Sequence, residues 1–485
     1  MMQTTAPQLY IDPLATSKSR EDLEMHLPTL KVVSYNGSGK NSGVPSSLEP
    51  LARRIGTRIH WLSVNQEEHE IAQDNTTGDI TAKSQRKNDC FEFHTAHIAE
   101  HIVIRHKQFC DKYLWPLFHG MPESAKFEAV EWQAYKQFCS QIAAESQTIA
   151  GESFPTLLWL HDYQLALSAP HVASDRGTLV CQFWHVPWPK SETIASSPVT
   201  REIIEGLLAN RLLGFHTAEY AHNFMDTAEI LFPDIQVDKM NMRVRMAGRT
   251  TQITVMPLGI DVDRWKDIAN LVRPMSEALA VKHRLASQIV LGIDRLDYTK
   301  GVLEKLHGIE YFLTVAPEMH RRFHYVQIAQ APQSDEEVYS RYAQQALNKI
   351  KEINERFSVD GWTPILHLDS KLSIEELAAW YQAADILTVN SIRDGLNLIA
   401  KEFVACRQDE QGVLIVSKNA GCAAELSQGA LLVDPRSPSE ISNALNKAIT
   451  MAVEEKRRRM TSMRHVIGWN QLHDWALGFL KQALR

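Results

Sequence analysis

The chain has 485 residues, 44% hydrophobic and 22% charged, the balance of an ordinary globular protein with enough length for two or three domains. With 51 basic against 58 acidic residues the net charge is −7. That excludes a general nucleic-acid binder, which needs a basic face to displace counterions, but leaves room for a local cationic pocket.

Residues 1–28 have no apolar core of signal-peptide length and are expected to be disordered. No stretch approaches the roughly 20 apolar residues of a membrane span, so a cytoplasmic protein is expected. Six scattered cysteines (Cys90, Cys110, Cys139, Cys181, Cys406, Cys422) form no CxxC pair, so free thiols are expected, with no zinc or redox motif.

The apolar, β-rich runs come in two groups. In the first half strands are expected at 30–35, 59–64, 157–163, 179–185, 212–217 and 251–259. In the second half they are expected at 288–296, 324–330, 365–369, 386–390, 412–417 and 430–435. Between them, VTREIIEGLLANRLL and IEELAAWYQAA repeat apolar residues at three and four, the helical period. This alternation predicts two parallel α/β sheets with helices on both faces. The expected organisation is a first Rossmann-like domain over 29–265, a second over 266–464, and a last helix over 465–485 packing back on the first. Residues 65–95 are polar and irregular, and whether they form a lid is open.

In doubly wound sheets ligands bind outside the carboxyl ends of the strands. GIDRLDYTKG (292–301) puts Arg295 and Lys300 there, two cations suited to a diphosphate, although a surface loop with ordinary salt bridges would look alike. SIRDGLNLIAKEF (391–403) adds a sharp turn at Gly395, then a helix whose first amides, around Asn397 and Leu398, suit an anion. Asp394 would face the group attached to the phosphates, and Glu402 lies two turns in, where it can accept from ribose. Together these describe a nucleotide-sugar pocket, which none describes alone.

In the first half, LLWLHDYQL and FWHVPWP bring His161, Asp162 and His185 to one rim, with Trp188 as a rigid wall. His216 in GFHT reads as a helix cap. The loop NGSGKNSG (36–43) is not a P-loop, because Ser34 and Asn41 stand where that pattern needs Gly and Ser or Thr.

The ordered motifs WLHDYQL, HVPWP, LLGFHT, PLGID, DRLDYTKG, GWTPI, RDGLNLIAKEF, GVLIVS and NAGCAAEL, preceded by LWPLFHG, resemble the trehalose-6-phosphate synthase family of retaining glycosyltransferases, which includes glucosylglycerol-phosphate synthases. The resemblance implies a GT-B fold, two Rossmann-like domains around a cleft. It implies that Arg295 and Lys300 hold the donor diphosphate, Asp394, Gly395, Asn397 and Leu398 the glucose and phosphates, and Glu402 the ribose. It further implies that Gly43 closes over the donor, that His185 meets the glucose 6-hydroxyl, and that Asp162 and Trp115 meet the acceptor.

The chain departs from that pattern around the acceptor phosphate. Asn36 replaces an Arg, His106 a Tyr, Gln333 an Arg, and Ser42-Gly43 a glycine pair. Losing two guanidiniums costs about 1.5–3 kcal/mol each unless they are replaced; Lys40, Arg105, His106 and Lys107 are the candidate replacements. The expectation is a retaining glucosyltransferase moving glucose from UDP-, ADP- or GDP-glucose to a small phosphorylated acceptor, glycerol 3-phosphate favoured, in compatible-solute synthesis. The alternatives are trehalose-6-phosphate synthesis from glucose 6-phosphate and a catalytically silent sugar-phosphate sensor. No cofactor or metal is expected, and the partners are small molecules, not nucleic acid or membrane. The oligomeric state is open, a homo-oligomer included.

Overall fold

A computed structural model describes residues 29–37, 59–64, 91–149, 156–172, 177–282, 288–330 and 336–485. Its first sheet contains β1 (Thr29–Val33), β2 (Ile59–Ser63), β3 (Phe91–Thr95), β4 (Thr156–His161), β5 (Thr178–Phe183), β6 (Leu212–Phe215), β7 (Gln236–Asp238), β8 (Arg243–Met246) and β9 (Arg249–Val255), in the order β3-β2-β1-β4-β5-β6-β9-β8-β7. β7, β8 and β9 form an antiparallel meander; the other pairings are parallel. The second sheet contains β10 (Gln288–Arg295), β11 (Phe323–Gln330), β12 (Ile365–Leu368), β13 (Ile386–Val389), β14 (Val413–Ser417) and β15 (Leu431–Val433), in the order β12-β11-β10-β13-β14-β15.

Both sheets carry the doubly wound order 3-2-1-4-5-6, so each has a point where the winding reverses, at β1/β4 and at β10/β13. All twelve expected strands are present. β7, β8 and β3 are additional, and β3 occupies the end of the segment expected to be irregular; residues 65–90 lie outside the described residues.

The central strands are apolar on both faces because helices cover both. Along β4, Leu158 and Leu160 enter a core with Phe138 and Ile142, while Leu157 and Trp159 enter a second core with Trp475 and Phe479. The helix Ile374–Ala383 starts with a reciprocal cap between Ser373 and Glu376, as its sequence S-x-x-E suggests.

The chain leaves the first sheet after β9, and the next helix, Val262–Leu271, packs on Leu398–Cys406 beside the second sheet. The helix Val453–Trp469 also stays with the second sheet. Only Leu472–Leu484 returns to the first, where Phe479 stacks on Trp159 with centroids 4.8 Å apart. The five described cysteines are buried free thiols. Among the described residues no helix is long and apolar enough to cross a membrane.

Candidate active site

The reversal of the second sheet sets β10 beside β13, so the segments leaving their carboxyl ends meet. Arg295 ends β10, and Lys300 ends the short turn Tyr298–Lys300 that follows. The two segments approach closely: a Cβ on Gly301, whose φ is +63°, would lie 2.2 Å from the carbonyl oxygen of Asn390.

Lys300 Nζ sits 2.7 Å from Asp394 Oδ2, which also accepts from Ser391 Oγ at 3.1 Å and Asn397 Nδ2 at 3.3 Å. Burial alone would push the Asp394 carboxyl up, but the Lys300 ammonium, helped by His119 and Asn397, holds it at about 2. Arg295 reaches Asp297 at 3.4 Å and lies over the Trp115 ring at 5.7 Å. Its side chain is 40% exposed, which leaves guanidinium donors for a ligand. Asn397, at φ +81°, caps the helix Leu398–Cys406 by accepting from Ala400 N, so the helix begins at Leu398 and its dipole points at the same place.

Glu402 accepts from Tyr381 Oη at 2.8 Å. Burial pushes its carboxyl from 4.5 up to about 7. The folded group therefore keeps its proton to a higher pH than the unfolded one, so this group's contribution to native stability is fully present below about pH 4.5 and is lost as pH rises through about 7. Glu402→Gln keeps an acceptor for Tyr381 and removes this decline. Without ligand it is expected to be more stable than wild type by roughly 2–3 kcal/mol at pH 8 and by less at pH 5.5, read from urea melts at both pH values. A gap that does not grow with pH would refute the assignment.

On the opposite rim, Asp162 follows β4 with φ +72° and ψ 176°, a region almost reserved for glycine and typical of strained functional positions. The turn aims its carboxylate at the amides after β5; His185 N donates to Oδ1 at 3.1 Å. Burial raises the Asp162 carboxyl to about 6 against the pull of these amides.

Three histidines at the ends of β4, β5 and β6 form a hydrogen-bonded row. His161 Nδ1 lies 3.0 Å from His185 Nε2, and His185 Nδ1 lies 3.1 Å from His216 Nε2. Leu258 N donates to His216 Nδ1 at 3.3 Å, so the proton of His216 is on Nε2 and the row donates from His216 to His185 to His161. Burial keeps all three rings neutral. His161 Nε2 ends the row, buried and without a partner among the described residues.

Several expectations change here. His185 comes to the rim as expected, but both ring nitrogens are already engaged, so bonding a sugar hydroxyl requires displacing one neighbour. His216 is not the helix cap; Thr217 is, accepting from Tyr220 N. His106 cannot supply charge to a phosphate. It is 0% exposed, stacked on Phe138 at 3.7 Å and Tyr135 at 5.1 Å, bonded to Gln164 O, and held neutral by burial at about 3. Arg105 is exposed on the same helix, and Lys107 pairs with Asp111 at 2.6 Å. Gly43, Lys40 and Gln333 lie outside the described residues.

Trp115 does reach the cleft. The helix Glu100–Phe109 continues through a π-helical turn, Cys110–Leu114, directly into Trp115–Phe118; such turns occur mostly at functional sites. The Trp115 indole N–H is buried and has no partner among the described residues, a donor held ready beside Arg295. The role of His119 was not legible in LWPLFHG. Its ring lies 3.9 Å from that of Trp115, and burial holds it neutral at about 4 although Asp297 and Asp394 favour its charged form.

The two rims touch. Tyr220 Oη donates to the Asp394 carbonyl at 2.8 Å, and a Cβ on Gly395 would stand 1.9 Å from the carbonyl oxygen of His185, so only glycine fits there. The chain crosses between the sheets twice, at 256–261 and 470–472, and these crossings pair through Ile260 and Gln471. The Leu258 peptide is held from both sides, its N–H by His216 and its carbonyl by Lys401 Nζ at 2.8 Å.

Two doubly wound sheets meeting at their carboxyl ends, one of them bearing paired cations beside a helix start, define a GT-B glycosyltransferase. Residues 17–485 match the model of glycosyltransferase family 20, and the chain belongs to that family of hexosyltransferases. It is 30% identical over 459 residues to an alpha,alpha-trehalose-phosphate synthase (UDP-forming) of Candida albicans, covering 93% of each chain. It is 33% identical over 385 residues to a bifunctional trehalose-6-phosphate synthase/phosphatase of Thermoproteus tenax, covering 79% of this chain and 52% of that one. Among solved structures, one described as trehalose-6-phosphate from E. coli bound with UDP-2-fluoro glucose superposes with TM-score 0.84 at 26% identity, over 94% of this chain and 98% of that one. A Burkholderia xenovorans alpha,alpha-trehalose-phosphate synthase in complex with glucose-6-phosphate shares the fold, with TM-score 0.85 at 24% identity, over 94% of this chain and all of that one.

Proposed function

We propose that this chain transfers glucose, with retention, from UDP-glucose to glucose 6-phosphate, forming trehalose 6-phosphate. The observation that carries this reading is the Lys300–Asp394 pair at 2.7 Å, flanked by Arg295 and by the Trp115 indole, which has no partner among the described residues. It joins a site for two linked phosphates to a donor facing the acceptor side. The Candida albicans relative, named as UDP-forming, and the E. coli neighbour, bound with UDP-2-fluoro glucose, support the donor base, and the names of the two relatives as trehalose-phosphate synthases support glucose 6-phosphate as the acceptor.

Glycerol 3-phosphate, favoured on the substitutions at the acceptor phosphate, gains no such support. One of the four candidate replacements at that phosphate, His106, is buried in an aromatic stack. A silent sensor is disfavoured by the described donor-side groups, Arg295, Lys300, Asp394 and Glu402, which stand together.

In this reading Arg295, Lys300 and the start of Leu398–Cys406 stabilise the diphosphate as its bond to glucose breaks, work a metal ion does elsewhere, so the transfer step needs none. Asp394 is tied to Lys300, Ser391 and Asn397, and Asp162 is turned to backbone amides, which leaves neither poised as a nucleophile. The acceptor oxygen therefore attacks on the face the diphosphate leaves, and a phosphate oxygen takes its proton.

The test is a matrix of UDP-, ADP- and GDP-glucose against glucose 6-phosphate and glycerol 3-phosphate, with product identified by mass and anomeric NMR. Turnover is expected to be highest for UDP-glucose with glucose 6-phosphate, by at least tenfold. Preference for glycerol 3-phosphate, or binding without turnover in every combination, would overturn the proposal.

A further inference from the structure

Away from the cleft, the edge of the first sheet gathers three metal-type side chains. β2 and β3 pair in parallel with His60 opposite Glu92 and Leu62 opposite His94. Because side chains alternate along a strand, Glu92 and His94 share one face of β3, and His60 joins them from β2. His60 Nδ1 lies 3.2 Å from His94 Nε2 and 3.6 Å from Glu92 Oε2, and His94 Nε2 lies 3.7 Å from Glu92 Oε1.

We propose that His60, Glu92 and His94 bind a first-row divalent transition-metal ion, best matched by zinc, which staples β3 to the sheet. A tetrahedral zinc ion with ligand bonds of about 2.0–2.1 Å needs its ligand atoms roughly 3.3 Å apart. The His60–His94 separation is close to that value, and the two Glu92 oxygens, each facing one imidazole nitrogen, lie a few tenths of an ångström beyond it. As hydrogen bonds, only the shortest is within the usual range of about 2.7–3.2 Å, whereas a cation between the three side chains can draw on all of them.

The donor set selects the ion. Two imidazoles and one carboxylate suit zinc and its neighbours, whereas calcium and magnesium want oxygen ligands throughout. Three protein ligands leave a fourth position for water. His60 is buried, while Glu92 and His94 have side chains 43% and 25% exposed, so the ion has a route from solvent.

The cation on the neighbouring strand does not oppose it. Lys31 pairs with His60 across β1, but its ammonium is drawn to the carbonyls of Ser146 and Ile149, at 3.2 and 2.6 Å near the end of the helix Ala129–Thr148. The consequence is mechanical. β3 is an edge strand, which frays readily when one side is unpaired, and the ion fixes it to its neighbour through side chains. This proposal is independent of the transfer reaction.

The test uses the full chain, stripped with a chelator and titrated with zinc by calorimetry, with magnesium as control, and followed by amide hydrogen exchange. One equivalent of zinc is expected to bind and to slow exchange at residues 91–95. His94→Gln and Glu92→Gln, both partly exposed, are each expected to weaken binding at least tenfold while leaving the metal-free melting temperature near wild type. Absence of saturable zinc binding, equal binding of magnesium, unchanged binding in both variants, or binding without protection of 91–95 would overturn the proposal.

Discussion

Lys300→Ala is expected to lower kcat/KM for glucosyl transfer by about a thousandfold, measured by steady-state release of the nucleoside diphosphate. The ammonium has two partners in turn: Asp394 in the free protein and, in the proposed reaction, the departing diphosphate. Removing one pre-placed donor from developing negative charge costs about 10²–10³ in rate. Here the loss also leaves the Asp394 carboxylate enclosed without its cation. Stability should fall by about 3 kcal/mol, near the range for breaking a largely buried pair.

The sign with pH follows from the depressed carboxyl. Asp394 contributes stability above its unfolded value of 3.8 and loses it as pH falls through about 2, so the wild-type pair survives mild acid. Lys300→Ala removes that contribution at neutral pH. Adding Asp394→Asn should recover part of the stability and none of the turnover. Turnover of Lys300→Ala within tenfold of wild type would remove the cradle from the mechanism.

The second large effect is expected at a buried residue to which no substrate contact is assigned. Lys401 is 1% exposed, donates to the Leu258 carbonyl at 2.8 Å, and lies 2.5 Å from Glu425 Oε2, an ion contact rather than an aligned hydrogen bond. Glu425 Oε1 accepts from Asn470 Nδ2, which also bonds the Pro257 carbonyl at 2.7 Å. One buried cation thus ties both crossings between the sheets to the second domain.

Lys401→Met keeps most of the volume and strands the Glu425 carboxylate and the Leu258 carbonyl. A loss of about 3–5 kcal/mol is expected from urea unfolding, with Lys401→Met/Glu425→Gln recovering part of it. Because Leu258 N–H sets the proton position along His216, His185 and His161, the single variant should also lower kcat more than its stability alone explains at temperatures where it stays folded. A stability loss under 1 kcal/mol would show that the crossings are held by packing instead.

Much of this architecture is legible in the chain because parallel sheets buried on both faces write themselves as apolar runs. LLWLH, ILTVN and GVLIVS are such runs, and they are β4, β13 and β14. β3 was missed because FEFHT is a half-polar edge strand, and its polar face carries Glu92 and His94, which meet His60 of β2. The donor side was legible because Arg295, Lys300 and Asp394 lie in two short segments, each just past a strand, and strand ends are where such folds bind ligands.

The acceptor side was less legible. A histidine two turns before LWP reads equally well as a phosphate ligand or as an aromatic filler, since the helical period says which residues share a face but not which face turns inward. Burial of His106 between Tyr135 and Phe138 answered that. The histidine row depends on contacts between positions 24 and 31 residues apart, at the ends of three adjacent strands.

Local pattern was therefore enough for the strand and helix alternation, the two-sheet plan and the cationic loops, since propensity, polarity and turn residues act over a few positions. Tertiary packing, within each sheet and between the two, decided the rest: the neutral state of the histidines, the ion pair that tunes Asp394, the exclusion of any side chain at Gly395, and the grip of Lys401 on the crossings. Those properties arise from burial and from distances between remote segments, which are created only when the chain closes on itself.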